Sequence, residues 1–535
     1  MRKHTDRGTR EVCSVGIYLN PGADKFREAL RSEIYVDKTG MIATLNRFLG
    51  TSQKYVCVSR PRRFGKTMAA DMVAAYYDRT VDGATLFHGR AIEHAATFDR
   101  CRNCYDVLHV NMQECLSGSS SMDALLSFLK NDLLEDLAAA YPDVSVRPER
   151  SLPYHLQRVY QHTRRPFVIV IDEWDSIFRE YRERKADQER YLDFLRDWLK
   201  DKSYIALCYM TGILPIKKYG THSALNMFDE YAMTGPGPLA AYVGFTSAEV
   251  QALCAHYAMD FAAAQQWYDG YAFPSVGEIY NPRSVVAAML RHTFGAYWNQ
   301  TETFEALKIY IDLNLDGLRD AVIRLMAGER QPIEIGTFSN DMTTFHTRDD
   351  VLTLLIHLGY LAYDVEHAAA YIPNKELMIE FANATSAGGW DEVTRAIQGS
   401  KALLEATWRM DADAVAAGIA AAHMETSHLT YNDENALAYT ISLAYYAARE
   451  MYTFLRELPT GKGFADLVFL PRPNRPEIPA LLVELKWNQD ARTAIKQIHE
   501  KKYPAVLKDY GGKLLLIGIS YDRKTKKHMC EITRI

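Results

Sequence analysis

The sequence predicts a multidomain α/β chain, with a doubly wound parallel sheet in its N-terminal part and a second, smaller α/β module near its C-terminal end. Three observations carry this. Apolar runs at 55–59, 107–112, 167–171 and 204–210 alternate with stretches of helical periodicity, the order of strands and crossover helices in a parallel sheet. Gly235-Pro236-Gly237-Pro238 is the sharpest break in the chain, and helical patterns dominate after it. Beyond residue 430 two further strand patterns, Gly461–Leu470 and Ala480–Lys486, are joined by a Pro-rich turn. At 535 residues the chain is too long for one core.

The first element with chemical content is Tyr55-Val56-Cys57-Val58-Ser59, followed by Arg60-Pro61-Arg62-Arg63-Phe64-Gly65-Lys66-Thr67. A strand, a basic turn and a helix opened by Gly-Lys-Thr give the context of a phosphate-binding loop: backbone N–H groups and a helix N-terminus face an anion. Lys66 is placed to reach the β- and γ-phosphates of ATP, and the Thr67 hydroxyl to hold Mg²⁺. The usual pattern has glycine where this chain has Arg60, so the turn must be shaped differently.

Upstream, residues before 16 read as a flexible tail, and Asp37-Lys38-Thr39 either lines the nucleotide pocket or starts a helix with Asp37 as its cap. Downstream come helices over 122–141 and 153–162, and then Phe167-Val168-Ile169-Val170-Ile171. That run is apolar throughout, as in a buried parallel strand, and ends in Asp172-Glu173. Acids there suit a Walker B site, with Asp172 on Mg²⁺ and Glu173 polarising the attacking water; the competing reading has Asp172 and Asp175 capping the next helix. A charged helix over 181–200 leads to the strand 204–210, whose end places Thr211 as a γ-phosphate sensor or a cap.

After the Gly-Pro break, Thr246 and Glu249 form a capping box at the start of a helix. Aromatic turns at 267–271 and 280–284 complete a small helical lid. A helix over 349–358 with a hairpin through 361–363 and 370–372 reads as a winged helix, structural rather than DNA-binding because its last helix has few basic residues. Residues 402–423 are alanine-rich and read as a helical linker.

A long helix opens at Asp433-Glu434, and two strands follow that carry Asp466, Glu484 and Lys486. The period of two puts Glu484 and Lys486 on one face. With Asp466 they form a pair of carboxylates able to hold a hard cation and a lysine able to stabilise charge on a phosphate. Leu481-Leu482-Val483 immediately before Glu484 argues against an ordinary exposed edge strand, since a charge at the end of a buried strand needs a partner. The basic helix around 494–503 brings Gln497 toward a metal-bound water and its lysines toward phosphates.

Composition narrows the classes. The net charge of -5 carries no overall nucleic-acid signature, so contact with DNA or RNA must be local. No apolar run approaches the ~20 residues of a membrane helix, no signal peptide is visible, and a cytoplasmic location is expected. Eight cysteines in this length do not make a disulfide framework. Cys101-x-x-Cys104 lacks a second paired half-site for zinc and reads as free thiols.

On the residues just given, the chain resembles a bacterial and archaeal family of AAA-like ATPases fused to a C-terminal PD-(D/E)xK nuclease-superfamily domain. The N-terminal resemblance rests on Arg60 to Thr67, Ile171-Asp172-Glu173 and Thr211-Gly212-Ile213, extended by the aromatic turns. In that family the Arg-Pro-Arg-Arg-Phe-Gly-Lys loop recurs, so Arg60 is a family trait. At the C-terminal end the nuclease motifs fall on Asp466, Glu484 and Lys486, with Glu434 and Gln497 accessory; Ala465 stands where the superfamily name has proline. The resemblance implies a P-loop AAA-like parallel-sheet domain over 16–240, a helical lid over 241–300 and a helical, winged-helix-like region over 301–390. A linker over 391–429 and a restriction-endonuclease-like α/β domain over 430–535 complete it. It further implies ATP binding, while neither a substrate nor retained cleavage follows from it; Mg²⁺ as a second cofactor and DNA or RNA as partner are expected from the two acidic sites, with oligomeric state left open. A signalling or scaffold ATPase whose C-terminal domain binds without cleaving is the rival expectation.

Overall fold

The computed structural model describes residues 16–216, 225–298, most of 303–425, and 451–459, 464–472, 477–500 and 513–534, with isolated positions between 437 and 448. It divides into two compact units, residues 1–300 with 332–377, and residues 301–331 with 378–535. The segment expected as one winged-helix-like region over 301–390 is thus shared between them.

In the first unit a five-stranded parallel sheet forms from β1 (Tyr55–Ser59), β2 (Asp106–Asn111), β3 (Phe167–Asp172), β4 (Ile205–Gly212) and β5 (Asp229–Tyr231). Their order across the sheet is β2-β3-β4-β1-β5. Every residue of β1, β3 and β4 is buried, which is why these strands read as unbroken apolar runs: both faces are covered. The chain leaves β1 for the far edge at β2, so β1 lies at a topological switch, where open α/β sheets place ligands beyond the strands' C-terminal ends.

Helices over Met122–Ala140, Leu152–Thr163 and Lys185–Leu199 occupy the predicted crossover positions. At the opposite end of the sheet Asp106 is fully buried and takes hydrogen bonds from Asn20 (3.0 Å), Arg79 (2.5 Å) and Tyr141 (2.5 Å). Burial pushes its carboxyl up, but the Arg79 guanidinium and these donors more than offset that and hold it low.

Beyond the sheet, the helix Ser247–His256 starts with the predicted capping box, Thr246 and Glu249 each bonding the other's backbone. A small antiparallel sheet, β6 (Phe245–Thr246), β7 (Tyr271–Phe273) and β8 (Gly277–Tyr280), accompanies it in the order β6-β8-β7. The helix Arg348–Leu358 ends at Gly359 and is followed by paired strands Ala362–Asp364 and Ala369–Tyr371.

In the second unit the strands Tyr452–Pro459, Phe464–Pro471, Ala480–Trp487, Leu514–Asp522 and Lys527–Arg534 form one sheet in chain order. Only the third and fourth run parallel. The alanine-rich stretch is two helices, Asp391–Trp408 and Ala412–Glu425, separated at Met410 with a φ of 60°. Leu403, Val415 and Ile419 share one core with Leu467, Val483 and Ile517 of the sheet. These residues belong to the C-terminal core, and the expected linker does not exist as a separate connector over 402–423. Alanine lets helices approach a sheet closely, which composition alone does not distinguish from an exposed connector.

Candidate functional site

Helix Lys66–Tyr77 begins directly after the loop, with Gly65 at its N-cap in the left-handed region (φ 91°). A Cβ there would meet no atom within 4 Å, so the glycine is demanded by backbone shape rather than by crowding. Arg63 is also left-handed, at φ 69°. The two positive φ angles turn the chain without a glycine at position 60.

Arg60 departs most from expectation. Its backbone N–H joins the sheet ladder, donating to the Gly212 carbonyl (3.0 Å). Its side chain is fully buried and turned away from the helix start: Nη1 donates to the carbonyls of Ser59 (3.0 Å) and Tyr231 (2.9 Å), and the guanidinium lies 5.1 Å from the Phe273 ring centre. Burial lowers its pKa to about 10. Arg60 anchors the loop to β5 and β7; this position supports no phosphate contact from its side chain.

Pro61 and Phe64 are buried too. Phe64 packs edge-on against Tyr271 (5.5 Å between ring centres), and Pro61 lies against Gly359. Arg62 and Arg63 are half-buried, and Arg63 lies within electrostatic reach of Arg283 and Glu376. Glu376 is buried and accepts from the backbone N–H of Tyr297 (2.6 Å) and Trp298 (2.8 Å) and from Ser284 Oγ (3.1 Å). Burial raises its pKa to about 7 despite those donors and Arg63.

Lys66 is buried, and its Nζ donates to the Pro61 carbonyl at 3.0 Å. Burial lowers its pKa, opposed by Glu173, Asp172 and Asp175. Asp172, at the end of β3, is the hub of the site. It accepts from the Thr211 hydroxyl, from Asn111 Nδ2 (3.2 Å) and from the Glu173 N–H (3.0 Å), and the Thr67 hydroxyl is a further partner. Burial raises its pKa, while Thr211 and Thr67 pull the other way. Lys66, Thr67, Asp172 and Thr211, predicted from separate strands and loops, thus meet at one end of the sheet. Thr211 meets Asp172 directly, and the structure gives it no helix-capping role.

Glu173 adopts a left-handed backbone (φ 52°) and is paired with Arg179 through its carboxylate. Asp175 does not cap the following helix with its side chain; it accepts the N–H groups of Ile213 (3.0 Å) and Leu214 (2.8 Å), tying β3's exit to β4's. Sequence reasoning missed Asn111 and Arg179 and offered Asp175 only as a helix cap. The only signal for Arg179 was its spacing, six residues after Glu173 and four after Asp175. Thr39, not Asp37, stands at the N-cap of the helix Gly40–Phe48, without a side-chain cap bond; Asp37 accepts the N–H groups of Thr39 (2.9 Å) and Ala91 (2.7 Å), and Lys38 binds Glu249 (2.6 Å). The segment thus leads into a helix start, but not with the expected cap. Cys104 is exposed and bonded to the Arg100 and Arg102 carbonyls.

In the second unit, Leu467 and Val483, and Val468 and Leu482, are opposite one another on antiparallel strands. Continuing that register places Asp466 opposite Glu484. Val468 and Leu482 pack with Ile495 of the helix Ala491–Glu500, whereas Leu467, Val483 and Leu485 pack on the other face. Alternation therefore puts Asp466, Glu484 and Lys486 together on the face that this helix covers. Asp466 Oδ2 accepts the Leu485 N–H at 2.7 Å, and Lys486 Nζ binds Glu484 Oε1 (3.3 Å) and the Leu485 carbonyl (2.8 Å). Glu484 is buried and Lys486 half-buried. Among the described residues no three His, Cys, Asp or Glu side chains are grouped to hold a metal ion. The two carboxylates nevertheless offer oxygen ligands for one hard cation, with the Lys486 amine beside them. Glu434 and the side chain of Gln497 lie outside the described residues.

No helix among the described residues is long and apolar enough to cross a membrane. Residues 21–221 match the predicted AAA-ATPase family, and residues 433–531 match the PD-(D/E)XK nuclease superfamily. A similar curated protein is an uncharacterised protein in the vnfD 5′ region of Azotobacter chroococcum mcd 1, 25% identical over 281 residues. That match covers 50% of this chain and 51% of the relative, so the chain spans about half the length of the curated relative it matches. Among solved structures, the ORC2 protein of Aeropyrum pernix in its ADPNP–ADP complexes is 15% identical, with 68% of this chain and 98% of that one covered at a TM-score of 0.31. CDC6P of Pyrobaculum aerophilum is 12% identical, with 66% and 96% covered at a TM-score of 0.22. The chain carries an AAA-ATPase-like domain over residues 21–221 fused to a PD-(D/E)xK nuclease-superfamily domain over residues 433–531.

Proposed function

We propose that the N-terminal unit binds and hydrolyses ATP with Mg²⁺, and that this activity governs a nuclease-like domain acting on nucleic acid. One observation carries the first half: Lys66 and Thr67 at a helix start, and Asp172 and Glu173 at the end of the neighbouring core strand, converge where the sheet's C-terminal ends open. Bound Mg²⁺ supplies charge neutralisation on the phosphates, with Thr67 and Asp172 as its protein partners. Lys66 exchanges the Pro61 carbonyl for phosphate oxygens. Glu173 takes the proton of the water whose oxygen bonds to the γ-phosphorus as the bond to the β–γ bridging oxygen breaks, leaving ADP and phosphate. Of the loop residues, Gly65 gives the turn and its N–H, while Pro61, Arg62, Arg63 and Phe64 frame the pocket.

Lys66→Ala is expected to abolish nucleotide binding, and Glu173→Gln to keep binding and stop turnover. Full turnover in the Glu173→Gln protein would reject that residue as the base. For the second unit, Asp466, Glu484 and Lys486 on one helix-covered strand face support Mg²⁺-dependent phosphodiester cleavage. Loss of cleavage of defined DNA or RNA in both Asp466→Ala and Lys486→Ala, against an active wild type, is the expected result. One observation favours the rival reading, a nucleotide-switched scaffold: Lys486 and Asp466 already bond neighbouring groups of their own strand pair. Absence of cleavage by the wild type on every nucleic acid offered, with or without ATP, selects that reading.

A further inference from the structure

We propose that Arg179 is a positioning residue that holds Glu173 until a triphosphate arrives and then turns to its terminal phosphate, so that the site discriminates ATP from ADP. The inference rests on the ATP reading above and deepens it.

Arg179 sits on the short helix Ser176–Glu180, its guanidinium nearly buried (8% of the side chain exposed). Its Nη2 pairs with Glu173 Oε2, and its Nε lies 3.6 Å from Asp175 Oδ2. Asp175 is engaged elsewhere, accepting two backbone N–H groups from the end of β4 with that same oxygen. Glu173 is therefore the acid to which Arg179 commits its charge-assisted bond. Glu173 reaches it from a left-handed backbone that L-residues rarely adopt, so the carboxylate's direction is set by local shape as well as by the pair.

A carboxylate oxygen engaged by a guanidinium is turned to that partner rather than to a water. In this arrangement the proposed base is held back. Glu173 directly follows Asp172 at the end of β3, the end of the sheet where the helix Lys66–Tyr77 begins, so the pair stands beside the proposed phosphate site. A terminal phosphate brings oxygens that match the planar guanidinium fork better than one carboxylate does. Transfer of Arg179 to it frees Glu173 in the same movement. ADP lacks those oxygens and leaves the pair intact. The differential contact needed to bias two states is thus present for ATP and absent for ADP.

The test is the ratio of ADP to ATP dissociation constants, measured with Mg²⁺ and a non-hydrolysable ATP analogue on the full chain. Glu173→Gln removes the competing carboxylate charge and is expected to raise the preference for the triphosphate about tenfold, the size of one charge-assisted bond. Arg179→Ala is expected to bring the ratio toward one, and the double variant to match Arg179→Ala, the gain from Glu173→Gln having vanished. Arg179→Lys keeps the charge, guards against loss of fold, and is expected to retain part of the preference. If Arg179 merely staples the helix to the strand end, Arg179→Ala lowers the melting temperature while the ratio stays at the wild-type value. That outcome overturns the proposal, as does an equal gain from Glu173→Gln with and without Arg179. Failure of the ATP reading itself looks different: wild type and Lys66→Ala then show the same nucleotide binding, or none.

Discussion

Gly359 is a position where a single methyl group should reach the nucleotide without touching it. The residue closes the helix Arg348–Leu358 in the left-handed region (φ 87°), its N–H bonding the Ile356 carbonyl (3.0 Å). A Cβ would stand 2.6 and 2.7 Å from Cβ and Cγ of Pro61 and 2.9 Å from Cη2 of Trp298. Gly359→Ala therefore costs ~1–2 kcal/mol for the left-handed alanine and a further ~1–3 kcal/mol for overpacking. Pro61 is part of the phosphate loop, and its carbonyl holds the Lys66 amine. If about half of the steric term is relieved by displacing the loop, roughly 0.5–1.5 kcal/mol falls on the proposed phosphate site, about two- to tenfold in affinity.

Calorimetric titration with Mg·ATP, alongside thermal melts, measures both parts. Gly277→Ala is the control, since its φ is also positive (83°) but its Cβ would meet nothing within 4 Å. It should cost ~1 kcal/mol of stability and leave affinity unchanged. Should Gly359→Ala melt lower than Gly277→Ala yet bind ATP as the wild type does, the rigid link from this helix end to the loop is wrong.

Gly518 faces the helix Ala491–Glu500 beside Glu484, and a Cβ there would lie 2.5 Å from the Ala491 carbonyl oxygen. Gly518→Ala should destabilise the second unit by ~1–3 kcal/mol and depress any metal-dependent cleavage, and an unchanged urea midpoint would refute the close approach. Arg60→Gly restores the usual loop glycine but removes both carbonyl partners, so it should lose ~2–4 kcal/mol in a denaturant titration without improving ATP affinity. Glu376 has its folded pKa raised to about 7 from 4.5. The folded state binds the extra proton, so this residue's contribution is intact below pH 4.5 and is lost as pH rises through 7. Wild type should therefore lose stability relative to Glu376→Gln across that window, by up to a few kcal/mol, and a pH-independent difference between the two proteins would contradict the assignment.

The parts of this chain that were legible in its sequence are those fixed by local rules. Thr246 and Glu249 are three residues apart and close their capping box within one turn. β3 could be read because burial on both faces leaves no polar residue until Asp172. Asp466, Glu484 and Lys486 share a face because alternation along a strand is invariant. What could not be read depends on partners far along the chain. Arg60, beside a phosphate loop, looks like a phosphate ligand until Tyr231, 171 residues on, is seen to take its Nη1. Lys38 looks available until Glu249, 211 residues on, closes over it. The alanine-rich helices hide their core role because alanine satisfies exposed and buried environments alike.

The charges at the phosphate end explain why the loop can carry so many arginines without them crowding the nucleotide. Asp172, Glu173 and Asp175 face Lys66 and Arg179 there, three acids against two bases, with the half-buried Arg62 and Arg63 in the same loop as Lys66. Arg60 does not join them, since its guanidinium is buried toward β5 and β7. A triphosphate alone would meet these carboxylates; burial raises the pKa of Asp172, the Glu173 charge adds to that, and Lys66 opposes it. On the proposed ATP reading, a divalent cation held where Thr67 and Asp172 meet would offset these carboxylates, so the metal-bound nucleotide rather than the free one would be the electrostatically matched ligand. The same reasoning separates the cations of the loop: Arg60 fixes its base and Arg63 lies within reach of Glu376, while the Lys66 amine, held by the Pro61 carbonyl, is the one proposed to face phosphate.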